Sequence, residues 1–142
     1  MPQAATEVPG VVLVVDVANV MGSRPDGWWR DRAGAAARLV AGLGPLVGRM
    51  LPIGPDGEPL HVVRAVAVLE GQARRAELPA QLLAAVDVVL AAADGDTAVV
   101  EQAAAVLATG GTPLVVTADR GLRDRLPAGC LLGGPGRLRD LL

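Results

Sequence analysis

Apolar and polar positions along the chain fall into short β-branched runs separated by longer alanine- and leucine-rich stretches. That is the pattern of strands alternating with helices. The first run, Val11-Val12-Leu13-Val14-Val15, ends on Asp16, and Asn19 and Gly22 follow. A continuous run of this kind predicts a strand buried on both faces, at the middle of a parallel sheet. A second run spans Val62 to Leu69 and ends at Glu70-Gly71. A third, Val86 to Leu90, leads into Asp94-Gly95-Asp96, and a fourth, Leu114 to Thr117, into Ala118-Asp119-Arg120. A last short strand falls near Leu131.

Between the strands, helices are expected from about Trp28 to Ala41 and from about Thr97 to Ala108. A short basic helix runs to Leu126 and another starts at Pro135. Gly42, Gly44 and Pro45 close the first helix, and Gly110-Gly111 the second. Ser23 to Gly27 reads as loop, and Gly54-Pro55-Asp56-Gly57 as a turn at the tip of a short hairpin. A short helix carries Arg74 and Arg75, and Pro79 separates it from a turn over Gln81–Ala85. Strands alternating with such helices imply right-handed βαβ units and an α/β fold whose mainly parallel sheet is covered on both faces. Residues 1–10, with two prolines and no periodic pattern, read as a flexible N-terminal tail, and 11–142 as a single domain.

The polar residues that punctuate this pattern carry the chemistry. Four apolar strands end on or near an acid: Asp16, Glu70, Asp94/Asp96 and Asp119. Parallel strands share a direction, so these carboxylates gather along one edge of the sheet, where open α/β folds place their ligands. Clustered carboxylates repel and raise one another's pKa values unless a cation joins them. Oxygen-only ligation favours Mg²⁺ or Mn²⁺. The implied reaction is metal-assisted phosphodiester hydrolysis with water as nucleophile. With one histidine in the chain, no Ser-His-Asp arrangement is apparent.

Composition narrows this further. The 142 residues are 51% hydrophobic and 20% charged, which is globular rather than disordered. Phe and Tyr are absent, so Val, Leu and Ala fill the core. All 13 basic residues are arginine against 15 acidic ones, a net charge of −2. Nothing in that balance suggests a bulk polyanion-binding surface, and any nucleic-acid contact must come from a local arginine patch. Arg24, Arg74, Arg75 and Arg120 lie just past the acid edge and are the candidates for holding phosphates. A single cysteine, Cys130, excludes an intrachain disulfide and a Cys-based zinc site, and suits a small buried hydrophobe. The first ten residues lack a basic n-region and the apolar run after them is too short to span a membrane, so a cytoplasmic protein is expected.

Val-Val-Asp16-Val-Ala-Asn19-Val-Met-Gly22, Gly95-Asp96-Thr97-Ala98 and Val116-Thr117-Ala118-Asp119-Arg120-Gly121-Leu122 together resemble the PIN-like NYN ribonuclease superfamily, most closely its short single-domain bacterial branch. The resemblance spans residues 11 to 142. It implies a three-layer α/β/α sandwich of PIN-like, Rossmann-like topology and Mg²⁺- or Mn²⁺-dependent cleavage of RNA. On matching positions it makes Asp16 the first-strand metal ligand and Asn19 its polar neighbour. Asp96 becomes the acid at the start of the central helix and Asp119 the acid after the fourth strand. Relatives often carry an acidic doublet where this chain has Asp96-Thr97. Asp94 stands nearby from a different direction, which leaves one or two metals open.

Each acid also has a structural use. Asp16 suits a strand-terminating turn, and Asp119 a helix cap; one of Asp94 and Asp96 is expected to cap the central helix, leaving Asp96 as ligand. Glu70 suits either the acid edge or a helical-spacing pair with Arg74. Of Trp28 and Trp29, one is expected in the core and the other beside the substrate cleft. His61 is read as structural. Two other functions fit the same residues: a non-catalytic RNA- or protein-binding module, motivated by Thr97, and a metal-dependent nucleotide phosphohydrolase. Apolar, alanine-rich helices are compatible with homodimerisation. No interface, antitoxin or other complex partner can be read from the residues.

Overall fold

The structure, a computed structural model, describes residues 10–142. Of the expected tail, residues 1–9 lie outside the described residues, while Gly10 opens the first strand. In chain order the elements are β1 (Gly10–Asp16), α1 (Val17–Met21), α2 (Arg32–Leu43), β2 (Met50–Leu51), β3 (Leu60–Leu69), α3 (Ala80–Ala85), β4 (Asp87–Leu90), α4 (Gly95–Ala108), β5 (Pro113–Val116), α5 (Arg120–Arg125), β6 (Leu131–Gly133) and α6 (Pro135–Arg139). Short 3₁₀ turns cover Trp28–Arg30, Gly44–Leu46 and Gly71–Arg75.

The six strands form one sheet in the order β2-β3-β1-β5-β6, with β4 also on β3. β2 pairs antiparallel with the start of β3, through Met50 and His61, and β4 pairs parallel with its end, through Val66 to Leu69. β1–β3, β1–β5 and β5–β6 are parallel. The hairpin read at Gly54–Gly57 is present: Gly57 N–H bonds the Gly54 carbonyl at 2.8 Å beyond the β2–β3 pair. From β1 the chain crosses first to β3 and later, through α4, to β5. The crevice between β1 and β5 is thus the switch point of the sheet, where such folds bind ligands.

Alternation along the strands builds the two faces. Val11, Leu13 and Val15 of β1, Ala65, Ala67 and Leu69 of β3 and Leu114 and Val116 of β5 pack beneath α2 and α6. Val12, Val14, Val66, Val68 and Val115 point the other way, onto Val99, Ala103 and Val106 of α4 and Leu122 of α5. This is the expected three-layer α/β/α sandwich with a mostly parallel sheet. Each fully buried Val or Leu stabilises it by roughly 1.5–3 kcal/mol, which lets the core close without Phe or Tyr. Cys130 packs partly buried against the α4 layer, as expected. No helix among the described residues is long and apolar enough to cross a membrane.

Three local expectations are corrected. The helix read from Trp28 is a 3₁₀ turn followed by a separate α2. Asp31 breaks it, because its side chain accepts the Gly34 N–H at 2.9 Å and caps a new start. α2 then continues past Ala41 to Leu43, a fully buried residue on the Leu39–Val40 face. The expected turn at Gln81–Ala85 is helix α3, with Pro79 as its N-cap. α1, hidden within an apolar stretch, starts where Asp16 accepts the Asn19 N–H.

Candidate active site

Strand alternation places the polar groups at the carboxyl edge. Two positions beyond the buried residues Val14, Val68 and Val115, on the same pleat, stand Asp16, Glu70 and Thr117, all toward the α4 layer. Asp16 is only 6% exposed and Thr117 fully buried, so both need partners. Thr117 Oγ1 donates to Asp16 Oδ2 at 3.0 Å across the switch point, and the Asn19 N–H donates to Asp16 Oδ1 at 3.3 Å. Asn19 returns across the crevice, its Oδ1 accepting the Ala118 N–H at 2.8 Å. Asp119 Oδ1 caps α5 through the Leu122 N–H at 3.0 Å, and its own N–H reaches Thr117 Oγ1 at 3.2 Å. Arg123 forks onto the Thr117 carbonyl at 2.9 and 2.7 Å, holding the loop after β5 in place.

Glu70 resolves in favour of the acid edge over a pair with Arg74: its Oε2 accepts the Gly95 N–H at 2.7 Å. A Cβ at position 95 would lie 2.8 Å from the Glu70 carboxyl carbon, so glycine is what permits the approach. Gly71, at φ +57, turns the chain immediately after it. Asp94 is the α4 cap, accepting the Thr97 N–H at 2.7 Å and the Thr97 hydroxyl at 3.2 Å. Asp96 stands in the first turn of α4. Arg125 donates to Thr97 Oγ1 at 3.0 Å, so Thr97 links an arginine to Asp94.

Electrostatics tie these groups together. Burial pushes the Asp16 carboxyl above its ordinary range against the hydrogen bonds from Thr117 and Asn19, and the charges of Glu70 and Asp96 add to the push. Asp96 is raised by burial and by the charges of Asp119, Glu70 and Asp94, with Arg125 opposing. Asp94 is lowered by its bonds to Thr97, and more weakly by Arg125. Asp16, Glu70, Asp96 and Asp119 therefore form one interacting acid edge. Among the described residues no group of three or more acids is disposed to hold an ion together.

The arginines divide. Arg24 turns away from this edge and pairs with Asp140 next to α6, while Arg139 pairs with Asp26 beside it. Arg74 and Arg75 lie on the exposed turn after β3, lining a shallow cleft with Gln72 and Leu90. Arg120 opens α5 next to Asp119 and is exposed. Arg125 and Thr117 were not singled out from sequence. Thr117 was detectable as the polar residue continuing the pleat of Val115. Trp28 takes both roles that had been divided between two tryptophans: it packs on the core and lines a cleft beside Glu70, whereas Trp29 is 48% exposed. His61 sits in the β1–β3 register, away from the acids.

Fold and edge together define an α/β three-layer protein of PIN-like type, with acids at the switch point. No protein-family model matches the chain, and no curated protein matches it. Among solved structures, the crystal structure of Rae1 (YacP) from Bacillus subtilis, in a tryptophan-to-leucine mutant, is similar to it with a TM-score of 0.64. The identity is 18%, over 92% of this chain and 74% of that one. At that identity the likeness establishes the fold.

Proposed function

We propose that the protein is a metal-dependent ribonuclease, hydrolysing RNA phosphodiester bonds at the acid edge with a carboxylate-held Mg²⁺ or Mn²⁺. The observation that carries this reading is the adjacency of Asp16, Glu70, Asp96 and Asp119: burial raises the Asp16 and Asp96 carboxyls, and repulsion from neighbouring carboxylates adds to the rise. A divalent cation relieves that repulsion, and a donor set made only of oxygens suits a hard ion. No three acids among the described residues are disposed to grip an ion, so an ion bound here would take few carboxylates directly and keep much of its water. Once bound, such an ion favours deprotonation of a water and neutralises charge on the phosphoryl group.

The remaining work falls to the chain. Asp16 and Asp96 would hold the ion, with Asp119 across the crevice reaching it only through its bound water, and Thr117 and Asn19 keep Asp16 oriented. Arg120 and Arg125 supply fixed positive charge for phosphate oxygens. Likeness to Rae1 supports this reading at the level of the fold.

The test is incubation of labelled single-stranded RNA with Mg²⁺ or Mn²⁺, for the wild type and Asp16→Asn, with metal titration by calorimetry. Cleavage that a chelator stops, and that Asp16→Asn reduces to background with the fold intact, is the expected result. RNA bound under chelation without products would point to a binding module instead. Turnover of nucleoside triphosphates without RNA cleavage would point to a nucleotide phosphohydrolase.

A further inference from the structure

A cleft of about 560 Å³ opens beside the acid edge, between α1, Trp28 and the turn after β3. Its walls are of two kinds. Ala18, Met21 and Ala73 supply apolar surface, and the Trp28 indole supplies an aromatic one. Arg32 places its guanidinium 5.4 Å from the Trp28 ring centroid, a cation–π distance, and Trp29 meets the indole edge-on at 5.8 Å and 87°. The indole is thus held at two sides. Gln72 contributes an amide, and Glu70 and Asp94 border the end nearest the carboxylates.

We infer that this cleft is a nucleobase pocket, taking one unpaired nucleotide of the RNA strand alongside the acid edge. The inference rests on the ribonuclease reading for its strand and adds where a base is held. Three observations select a base. The volume lies within the roughly 300–1,000 Å³ typical of small-molecule sites. Glu70 and Asp94 disfavour a phosphate at their end of the cleft, whereas ring N–H and exocyclic amino groups of a base can donate to them. An indole–guanidinium wall is a stacking surface for any base, and the Gln72 amide can both donate to and accept from a base edge. A paired base has its faces and its edge covered, so the pocket selects single-stranded RNA. Gly71 and Gln72 also line the neighbouring cleft with Arg74 and Arg75, so the next phosphate meets arginine rather than acid.

The experiment is fluorescence anisotropy of a labelled octanucleotide RNA, single-stranded and as a blunt duplex, under chelation so that nothing is cut. Tryptophan emission is followed in parallel. Trp28→Leu should weaken single-strand binding roughly 5- to 150-fold, the loss of one stacked base, and leave duplex binding unchanged. Emission should be quenched by the octanucleotide in the wild type and in Trp29→Leu, but not in Trp28→Leu. Because Trp28 also packs on the core, Arg32→Ala and Gln72→Ala carry the same test on exposed residues, each expected to weaken single-strand binding several-fold. Unchanged binding in all three variants, with cleavage intact, overturns the pocket alone. Base-dependent binding in a wild type that never cuts RNA overturns the hydrolytic reading alone.

Discussion

The hydroxyl of Thr117 donates to the buried carboxylate of Asp16 at 3.0 Å, joining residues 101 positions apart across the switch point of the sheet. The same oxygen accepts the Asp119 N–H at 3.2 Å, so one side chain links the first-strand acid to the acid after β5. Thr117→Val keeps the shape and removes the hydroxyl. It leaves Asp16 with one donor fewer, at a cost of about 1–3 kcal/mol. Denaturant unfolding should show that loss, with Thr117→Ser retaining most of the parental stability. A Thr117→Val protein as stable as the parent would mean that the bond contributes little.

Glu70 and Gly95 behave as a fitted pair. Gly95→Ala brings a methyl to within 2.8 Å of the Glu70 carboxyl group and disturbs the 2.7 Å bond that Glu70 accepts. Overpacking of this kind costs about 1–3 kcal/mol. In a Glu70→Ala background the collision is gone, so the same substitution should cost nothing there. A double-mutant cycle by thermal or urea unfolding measures the difference, and additive effects would contradict the fitted pair.

The raised carboxyls set a pH dependence. Asp16 and Asp96 hold a proton more tightly folded than unfolded. Their protonation thus favours the fold in acid, and that contribution is lost as pH rises through their raised pKa values. Asp94, held down by Thr97, contributes in the opposite sense, with its stability present at neutral pH and lost on acidification. Asp96→Asn should therefore raise the metal-free melting temperature at neutral pH, with little effect in acid. Mg²⁺ or Mn²⁺ should raise the melting temperature of the wild type more than that of the variant. Melting curves across the acid-to-neutral range, with and without metal, check both. A lower neutral-pH melting temperature for Asp96→Asn would count against repulsion at this edge.

Much of this protein is written in its local pattern. The valine runs, the acids that close them and the turn at Gly54–Gly57 announce a parallel α/β sheet because burial on both faces demands continuous apolar strands. The chain direction of such strands dictates that Asp16, Glu70 and Asp119 share an edge. Capping chemistry is local too: Asp94 precedes α4 by the spacing that lets its carboxylate meet the Thr97 N–H.

What the pattern could not settle was decided by contacts distant in sequence. Glu70 bonded to Gly95 rather than to Arg74 depends on which competing donor the fold brings within reach. The same holds for the arginines. Arg24, near the edge in sequence, is drawn to Asp140 by α6, whereas Arg125 is brought to Thr97 by the packing of α5 against α4. A guanidinium on a long side chain has many possible partners, and only the tertiary arrangement selects among them. Strand direction needs nearest-neighbour chemistry alone; the partner of a charged side chain needs the whole fold.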